Sequence, residues 1–393
     1  MLTHRLSLLA CMTSMLVIAP PLTVRAATTG SPTTNTTEVT TSTIMLNPAD
    51  YRTSIPAEAF AKTKPGEWVS PEVKPAFPFD ELIYAWNAPL PDGQGFRIHL
   101  QVTFSPGDQS PWLYAGFWGA VKDPVTSRSK PVFDRGEVDM DWLKMKERAL
   151  SYRFKVVEAS TAPLTVLPSL SVITTDNNPS REVAALALNS ETTAALTPPI
   201  LDLPFRRQMN SKGVVTPNRC QSAALATALQ YFGNEVPLEN IVGRIHDPEY
   251  NYPGLWPRIV AAASEFGCDS TIGRFRDWDA VKAALARNEV ILCSIRMKEG
   301  ECKDPPYGKM GNHIVALNGL TDDGRVIVTD SFLAKSGRGY RCQWHQEDFE
   351  RIWMKTKQGV AMVILPPKGA TRKTISELPA FPTGREPITG DDH

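Results

Sequence analysis

The chain has no surplus of charge of either sign: among its 393 residues, 42 basic and 42 acidic side chains cancel. A balanced surface offers no electrostatic footprint for nucleic acid or for an anionic membrane, so neither is expected as a partner. Past its first two dozen residues the chain has no apolar run approaching the length that spans a bilayer, so no transmembrane segment is expected. Histidine is scarce, six in all, and neither His246 nor His345 has a second His or Cys at ligand spacing. That spacing excludes a recognisable metal site, and nothing in the chain implies a cofactor. No internal repeat is visible.

What is present divides along the chain. Residues 1–5 are short and basic, residues 6–18 are largely apolar, and Val24-Arg25-Ala26 offers small-type residues for cleavage. Residues 1–26 therefore read as a secretory signal peptide, and the mature protein is expected to be secreted or periplasmic. Residues 27–78 read first as a Thr/Ser/Asn-rich spacer and then as a proline-containing lead-in expected to pack loosely.

Residues 79–173 carry the period of β-strands. Phe96, Ile98, Leu100, Val102 and Phe104 alternate with Arg97, His99, Gln101 and Thr103, and Tyr152, Phe154 and Val156 alternate with Arg153 and Lys155. Turn signals at Pro91-Asp92-Gly93, Pro106-Gly107-Asp108 and Arg135-Gly136 separate the runs, so a small antiparallel β-sandwich is the economical reading. Its Trp86, Trp112, Tyr114, Trp118 and Trp142 read as core; any on an exposed face could stack on a cell-surface glycan or anchor a protein. Glu137, Asp139 and Asp141 alternate as a solvated strand face rather than as calcium ligands. His99, on the polar face, is expected to be exposed. Residues 174–200 read as a polar connector with a brief Ala/Leu run at 183–188.

The second domain, residues 201–366, places Cys220 at the first turn of a helical segment. Leu225, Ala228, Leu229 and Phe232 recur at helical spacing, Thr216-Pro217-Asn218 is a start signal, and Gly233-Asn234 a stop. Unpaired N–H groups and the positive end of the helix dipole favour the thiolate at such a position. Downstream, residues 311–319 read as a buried strand opening on His313, and residues 325–330 as the next strand, ending on Asp330. Thr321-Asp322-Asp323-Gly324 between them is a hairpin signal. Pairing through that turn would make His313 and Asp330 neighbours at one sheet edge, as a base and its orienting carboxylate serving a cysteine nucleophile. Helices at 257–266 and 278–286, the latter capped by Asp277, strands at 289–296 and 359–365, and a helix at 346–353 complete an α+β layout. Residues 367–393 read as a polar C-terminal tail.

This domain resembles the papain-like cysteine peptidases of family thirty-nine, the bacteriocin-processing or double-glycine-leader type, in its stand-alone secreted version. The resemblance runs through Leu203-Pro204-Phe205-Arg206-Arg207-Gln208, Cys220 with its helix ending Tyr231-Phe232-Gly233, Asn312-His313-Ile314-Val315, Val328-Thr329-Asp330 and residues 346–353. It implies a papain-like α+β fold preceded by an all-β sandwich, with Cys220 as nucleophile, His313 as base and Asp330 as orienter. It also implies Gln208 as side-chain donor to the oxyanion, beside the backbone N–H of Cys220. Two departures stand out. Gln221-Ser222 follow the cysteine where the family has Gly-Pro, and Gln208 lies farther upstream of the cysteine than in papain-like enzymes generally.

The reading of the chain is thus a secreted cysteine peptidase that hydrolyses the amide bonds of a peptide or protein substrate through a thioester on Cys220. Alternatives with the same chemistry are a thiol-dependent amidase, a peptidoglycan hydrolase or a transamidase. An alternative of another class is a catalytically inert cell-surface binding protein. Specificity would lie in loops such as 247–256 and 298–310, where Tyr250, Tyr252 and Trp256 fit an aromatic wall and core packing equally well. Beyond Cys11, the cysteines are Cys220, Cys268, Cys293, Cys302 and Cys342. With Cys220 free, the other four can pair in three ways. Cys302–Cys342 is expected because each reads as lying in a loop just past a strand, and Cys268–Cys293 follows by elimination.

Overall fold

The computed structural model of the chain describes residues 48–382, apart from 126–127, 189–197, 211, 215, 334–337 and 379. The expected signal peptide and spacer and the far end of the tail lie outside the described residues. Among the described residues no helix is long and apolar enough to cross a membrane.

The N-terminal region is β-rich, with two six-stranded sheets whose paired strands are antiparallel. The first runs in the order 49–55, 169–176, 79–87, 142–149, 136–139, 132–133. The second runs 61–64, 67–69, 151–158, 95–105, 108–109, with 113–119 also paired to 95–105. The alternation in 96–104 is realised in the strand Gly95–Ser105, where Phe96, Ile98, Leu100 and Val102 are all buried. Rings from the two sheets meet: Tyr84 lies 5.8 Å from Phe154, Phe79 5.9 Å from Tyr152 and Trp86 6.4 Å from Phe96, all edge to face. Such contacts add to the area the rings bury.

The lead-in before residue 79 differs from its expectation. Ala49–Ile55 pairs along its whole length with Ser169–Asp176, and Ala61–Lys64 and Glu67–Val69 join the second sheet. The prolines fall between these strands, where a missing N–H costs no ladder bond. Residues 181–188 of the expected connector form a short helix.

The C-terminal region is α+β. Helices Cys220–Tyr231, Leu238–Ile245, Trp256–Glu265 and Trp278–Ala286 precede most of an antiparallel sheet ordered 270–274, 360–364, 290–297, 310–320, 325–329, 342–345. The Asp277 side chain accepts from the N–H of Ala280 at 2.8 Å, the expected cap. Residues 346–353 begin as a helix, Gln346–Glu350, and continue as a π-helical turn, Arg351–Lys355. The helix Leu238–Ile245 and the strands at 270–274 and 342–345 had no place in the sequence reading. The tail is docked at its start: the Ile375 N–H donates to Ile200 O at 2.9 Å, and the Asp202 N–H to Lys373 O at 2.9 Å.

The two regions share a polar, buried junction. Arg274, its side chain fully buried, donates to Glu81 at 3.0 Å and to Thr175 at 2.8 Å, and Arg276 forks onto Asp50 at 2.6 and 2.9 Å. Asn87 donates to Ser270 O at 2.8 Å, and Arg258 donates to Phe117 O at 3.0 Å. Groups so deeply buried need these partners, so the junction has a specified register.

The expected disulfides are absent: no disulfide joins any of the five described cysteines. Cys342 is a strand residue opposite Val328 rather than a loop residue, and Cys293 lies in an interior strand between Val315 and Ala361. Burial pushes the Cys268 thiol up to about 11 and Cys302 up to about 12, and holds Cys293 well above the ordinary thiol range. They behave as small buried hydrophobes. His99 is half-buried rather than exposed; burial first, then the cations of Lys155, Arg128 and Arg97, push it down to about 4.

Candidate active site

Cys220 is the first residue of its helix, and the chain reaches it through Asn218, which takes the left-handed conformation at φ +59°. Asparagine tolerates that conformation better than most residues, so the turn is made before the cysteine without a glycine after it. The helix has no side-chain cap, which leaves the N–H groups of its first turn available around the sulfur. Cys220 is 8% exposed, and its thiol donates to Gln221 Oε1 at 3.0 Å.

Gln221 explains its own presence. Its Nε2 donates to the carbonyls of Asn218, at 3.0 Å, and Pro253. Gly254, at φ +78°, lies against it so closely that a Cβ there would stand 2.4 Å from Gln221 Cγ. The bulk that follows the cysteine is accommodated by a glycine thirty-odd residues away, which no local pattern reveals.

His313 and Asp330 are brought together by the hairpin. The Thr321 N–H donates to Arg325 O at 3.0 Å, Gly324 takes φ +80°, and Ala316 faces Thr329 across the strands. Asp330 is thereby carried to the sheet edge at which His313 stands. His313 Nε2 and Asp330 Oδ1 are 2.7 Å apart, with the side chains 2% and 0% exposed. The Tyr307 hydroxyl donates to Asp330 Oδ2 at 3.1 Å, and the Phe332 N–H to Oδ1 at 2.9 Å. Tyr307 and Phe332 also wall the imidazole edge to face, at 6.3 and 5.7 Å.

Burial alone would push the imidazole of His313 down. The charges of Asp330 and of the Cys220 thiolate, with hydrogen bonds to both, outweigh it and hold the ring's pKa up at about 10. With Nε2 turned to Asp330, the other ring nitrogen remains for the sulfur. Burial, then Asp330, raises Tyr307 well above the ordinary phenol range, so it stays a hydrogen-bond donor.

Gln208 is buried, not a surface glutamine. Its Oε1 accepts from Ser331 Oγ at 2.9 Å, and its Nε2 donates to Thr216 O at 3.3 Å. It thus bridges the segment before Cys220 and the residue after Asp330. Among its described bonds none goes to Cys220 or His313, and one amide N–H is left over.

Sequence reading missed Tyr307, which sits in a loop with no local signal, and Gly254. The aromatics of the N-terminal region divide. Trp86, Tyr114 and Trp118 are buried, Trp112 lies under Arg153 and Lys155, and Trp142 meets Trp256 at 6.0 Å. Asp139 pairs with Lys130 at 2.7 Å, and Asp141 accepts the Trp256 N–H at 2.8 Å. His345 is hydrogen-bonded to Asp304 at 3.1 Å. Among the described residues no group of three or more His, Cys, Asp or Glu could hold a metal.

Comparison with known proteins returns two family models. Residues 25–175 match the one described as peptidase C39 N-terminal domain, and residues 200–361 the one described as peptidase C39 like family. No curated protein matches. Among solved structures, a double glycine motif protease from an AMS/PCAT transporter, in complex with the leader peptide, is similar at 17% identity. The match covers 44% of this chain and 99% of that one, with a TM-score of 0.30. Each match covers less than half of the chain; together they set a segment similar to the peptidase C39-like family, residues 200–361, behind a segment similar to the peptidase C39 N-terminal domain, residues 25–175.

Proposed function

We propose that the chain is a cysteine peptidase that cleaves amide bonds in a peptide or protein through a thioester on Cys220. The observation that carries the proposal is the buried 2.7 Å pair of His313 and Asp330, within electrostatic reach of a thiol at a helix N-terminus. The His313 imidazolium and the helix dipole favour the thiolate. The sulfur adds to the scissile carbonyl, the C–N bond breaks as His313 gives its proton to the leaving amine, and a thioester remains. His313 then takes a proton from water, whose oxygen displaces the sulfur as the acid. Asp330 holds the ring and the positive charge it carries. The Cys220 N–H and the spare N–H of Gln208 are assigned to the oxyanion, Gln208 being positioned by Ser331 and Thr216.

The wider assignment is an exported protein, from the basic and apolar start of the chain, with the two N-terminal sheets forming a sandwich. Aromatic contacts between the sheets support the sandwich.

The test is the rate of Cys220 alkylation against pH in wild type and His313→Ala. Reactivity that persists well below the free-thiol pKa of about 8.5, and shifts when His313 is removed, supports an activated pair. Ordinary thiol behaviour in both proteins rejects it.

A further inference from the structure

One loop, residues 246–256, touches both the cysteine and the N-terminal region. On the cysteine side, Pro253 O and Gly254 enclose Gln221. Tyr252 pairs with Asp247 two residues before Gly254, and it lies within electrostatic reach of Cys220 and of Asn312, the residue before His313. Tyr252 therefore lies near both the helix that carries the thiol and the strand that carries the imidazole. It is only partly buried, and so open to a substrate.

On the other side the loop is held by residues of the N-terminal region. Glu249 is fully buried, yet its carboxylate faces three groups from that region: Arg97 at 3.4 Å, Arg128 at 3.2 Å and the Tyr114 hydroxyl. The guanidinium of Arg128 also lies 3.8 Å from the centre of the Tyr114 ring, and the Arg128 N–H donates to Glu249 O at 2.8 Å. Inside the loop, Asp247 accepts the N–H groups of Glu249 and Tyr250 at 2.8 and 3.1 Å. Arg258 donates to the carbonyls of Arg244, Ile245 and His246 and, across the junction, to Phe117 O. At the far end, Asp141 accepts the Trp256 N–H. A carboxylate buried this deeply persists only with partners of this kind, so the contact has one register.

We infer that Tyr252 is a substrate-contacting, specificity-determining residue of the cleft, and that Glu249, clamped by Arg97, Arg128 and Tyr114, is the positioning residue that sets it. The N-terminal region is then part of the peptidase's substrate site, not a separate binding module. This inference rests on the peptidase reading above and adds to it the wall that the substrate meets.

The experiment compares full-length wild type with Glu249→Ala and with Glu249→Gln, which keeps the shape of the side chain and the contact to Tyr114. Two readouts are taken on each. Alkylation of Cys220 by iodoacetamide reports on the thiol and imidazole. Inactivation by a panel of peptidyl chloromethyl ketones that differ in one side chain reports on the wall. The expected result is an iodoacetamide rate within about twofold of wild type, while discrimination across the panel falls by about tenfold in Glu249→Ala and by less in Glu249→Gln. Equal discrimination in wild type and both variants overturns the clamp. A parallel loss in both readouts also overturns it, because Glu249 would then support the Cys–His pair itself. If Glu249→Ala does not fold, Glu249→Gln decides on the same two readouts. A wild type that reacts with both reagents as an ordinary thiol overturns the peptidase reading and this inference together.

Discussion

The β-rich region and the Cys220 helix fill their interiors differently. In the β-rich region the largest buried groups are rings: Phe79, Tyr84, Trp86, Phe96, Trp118, Tyr152 and Phe154. The Cys220 helix is buried on nearly all sides, with Leu225, Leu229 and Tyr231 beside the small Ala223, Ala224, Ala226 and Ala228, and Gln221, Ser222 and Thr227 buried among them; His313, Asp330, Gln208 and Ser331 lie buried beyond it. Rings remove the most area from water per residue and make a stiff platform. Small side chains let a helix approach a sheet closely, which is what a thiol on one and an imidazole on the other require. The cost is a set of buried polar groups, each needing its own partner. The β-rich region is stabilised chiefly by area, whereas the helix at the site trades some area for chemistry.

That contrast can be broken at several points, in descending order of effect. Replacing His313 by Ala should lower the rate of peptide cleavage by about 10²–10⁴-fold, since proton transfer by a positioned side chain is worth roughly that much. The same variant should move the urea midpoint far less than its effect on rate would suggest. In the ring-filled region the reverse should hold. Trp118→Ala should cost about 3–5 kcal/mol of unfolding free energy while leaving the pH profile of Cys220 alkylation in the surviving folded protein unchanged.

Stability should also depend on pH through the site. His313 is held at about 10, above the ordinary 6.5 of an unfolded histidine. A raised value of this kind contributes stability that is fully present below about pH 6.5 and is lost as pH rises through about 10. Urea midpoints should fall over that window in wild type, and Asp330→Asn should flatten the fall. An Asp330→Asn profile as steep as wild type would show that the carboxylate does not hold the proton.

Smaller effects should come from the two contacts that shape the cleft. In Gly254→Ala the new Cβ meets Gln221 Cγ at 2.4 Å, and the backbone there sits at φ +78°. The Gln221 amide is tied to two carbonyls and has little room to withdraw, so a loss of about 1–3 kcal/mol is expected by thermal denaturation. Smallest of all is Asp141→Asn. Burial pushes the Asp141 carboxyl up to about 6, against the pull of the Trp256 N–H. An acid raised in this way costs stability as pH rises from about 4 through about 6. Asparagine keeps an acceptor for Trp256 without the charge, so the melting temperature at pH 7 should stay level or rise, whereas Asp141→Ala should lower it.

Legibility in the sequence followed how local the cause was. The Thr321–Gly324 turn, the alternation at 96–104 and the Asp277 cap each depend on residues within a few positions, and each reads directly. The neighbourhood of His313 and Asp330 follows from the turn between them. Tyr307, Gly254 and Glu249 do not read at all, because what makes them matter is a partner a hundred residues away or on another element: Asp330 for the first, Gln221 for the second, Arg97 and Tyr114 for the third. The strand at 49–55 was masked by nearby proline, and only its ladder with 169–176 reveals it. The cysteines misled for the same reason, since loop or strand placement, and not their number, decides whether two can meet.

The order of strands in the C-terminal sheet sets a schedule. Val360–Ile364, the last strand among the described residues, lies between Ser270–Arg274 and Val290–Met297 and pairs with both. A growing chain that has already emerged past Asp330 carries thiol, imidazole and carboxylate, yet the sheet behind them still has a gap one strand wide. Completion waits for the strand at 360–364 to emerge. A protein built to cut peptides would thus be without its finished blade while it is itself an extended peptide, and a chain truncated before residue 360 should be both unstable and idle.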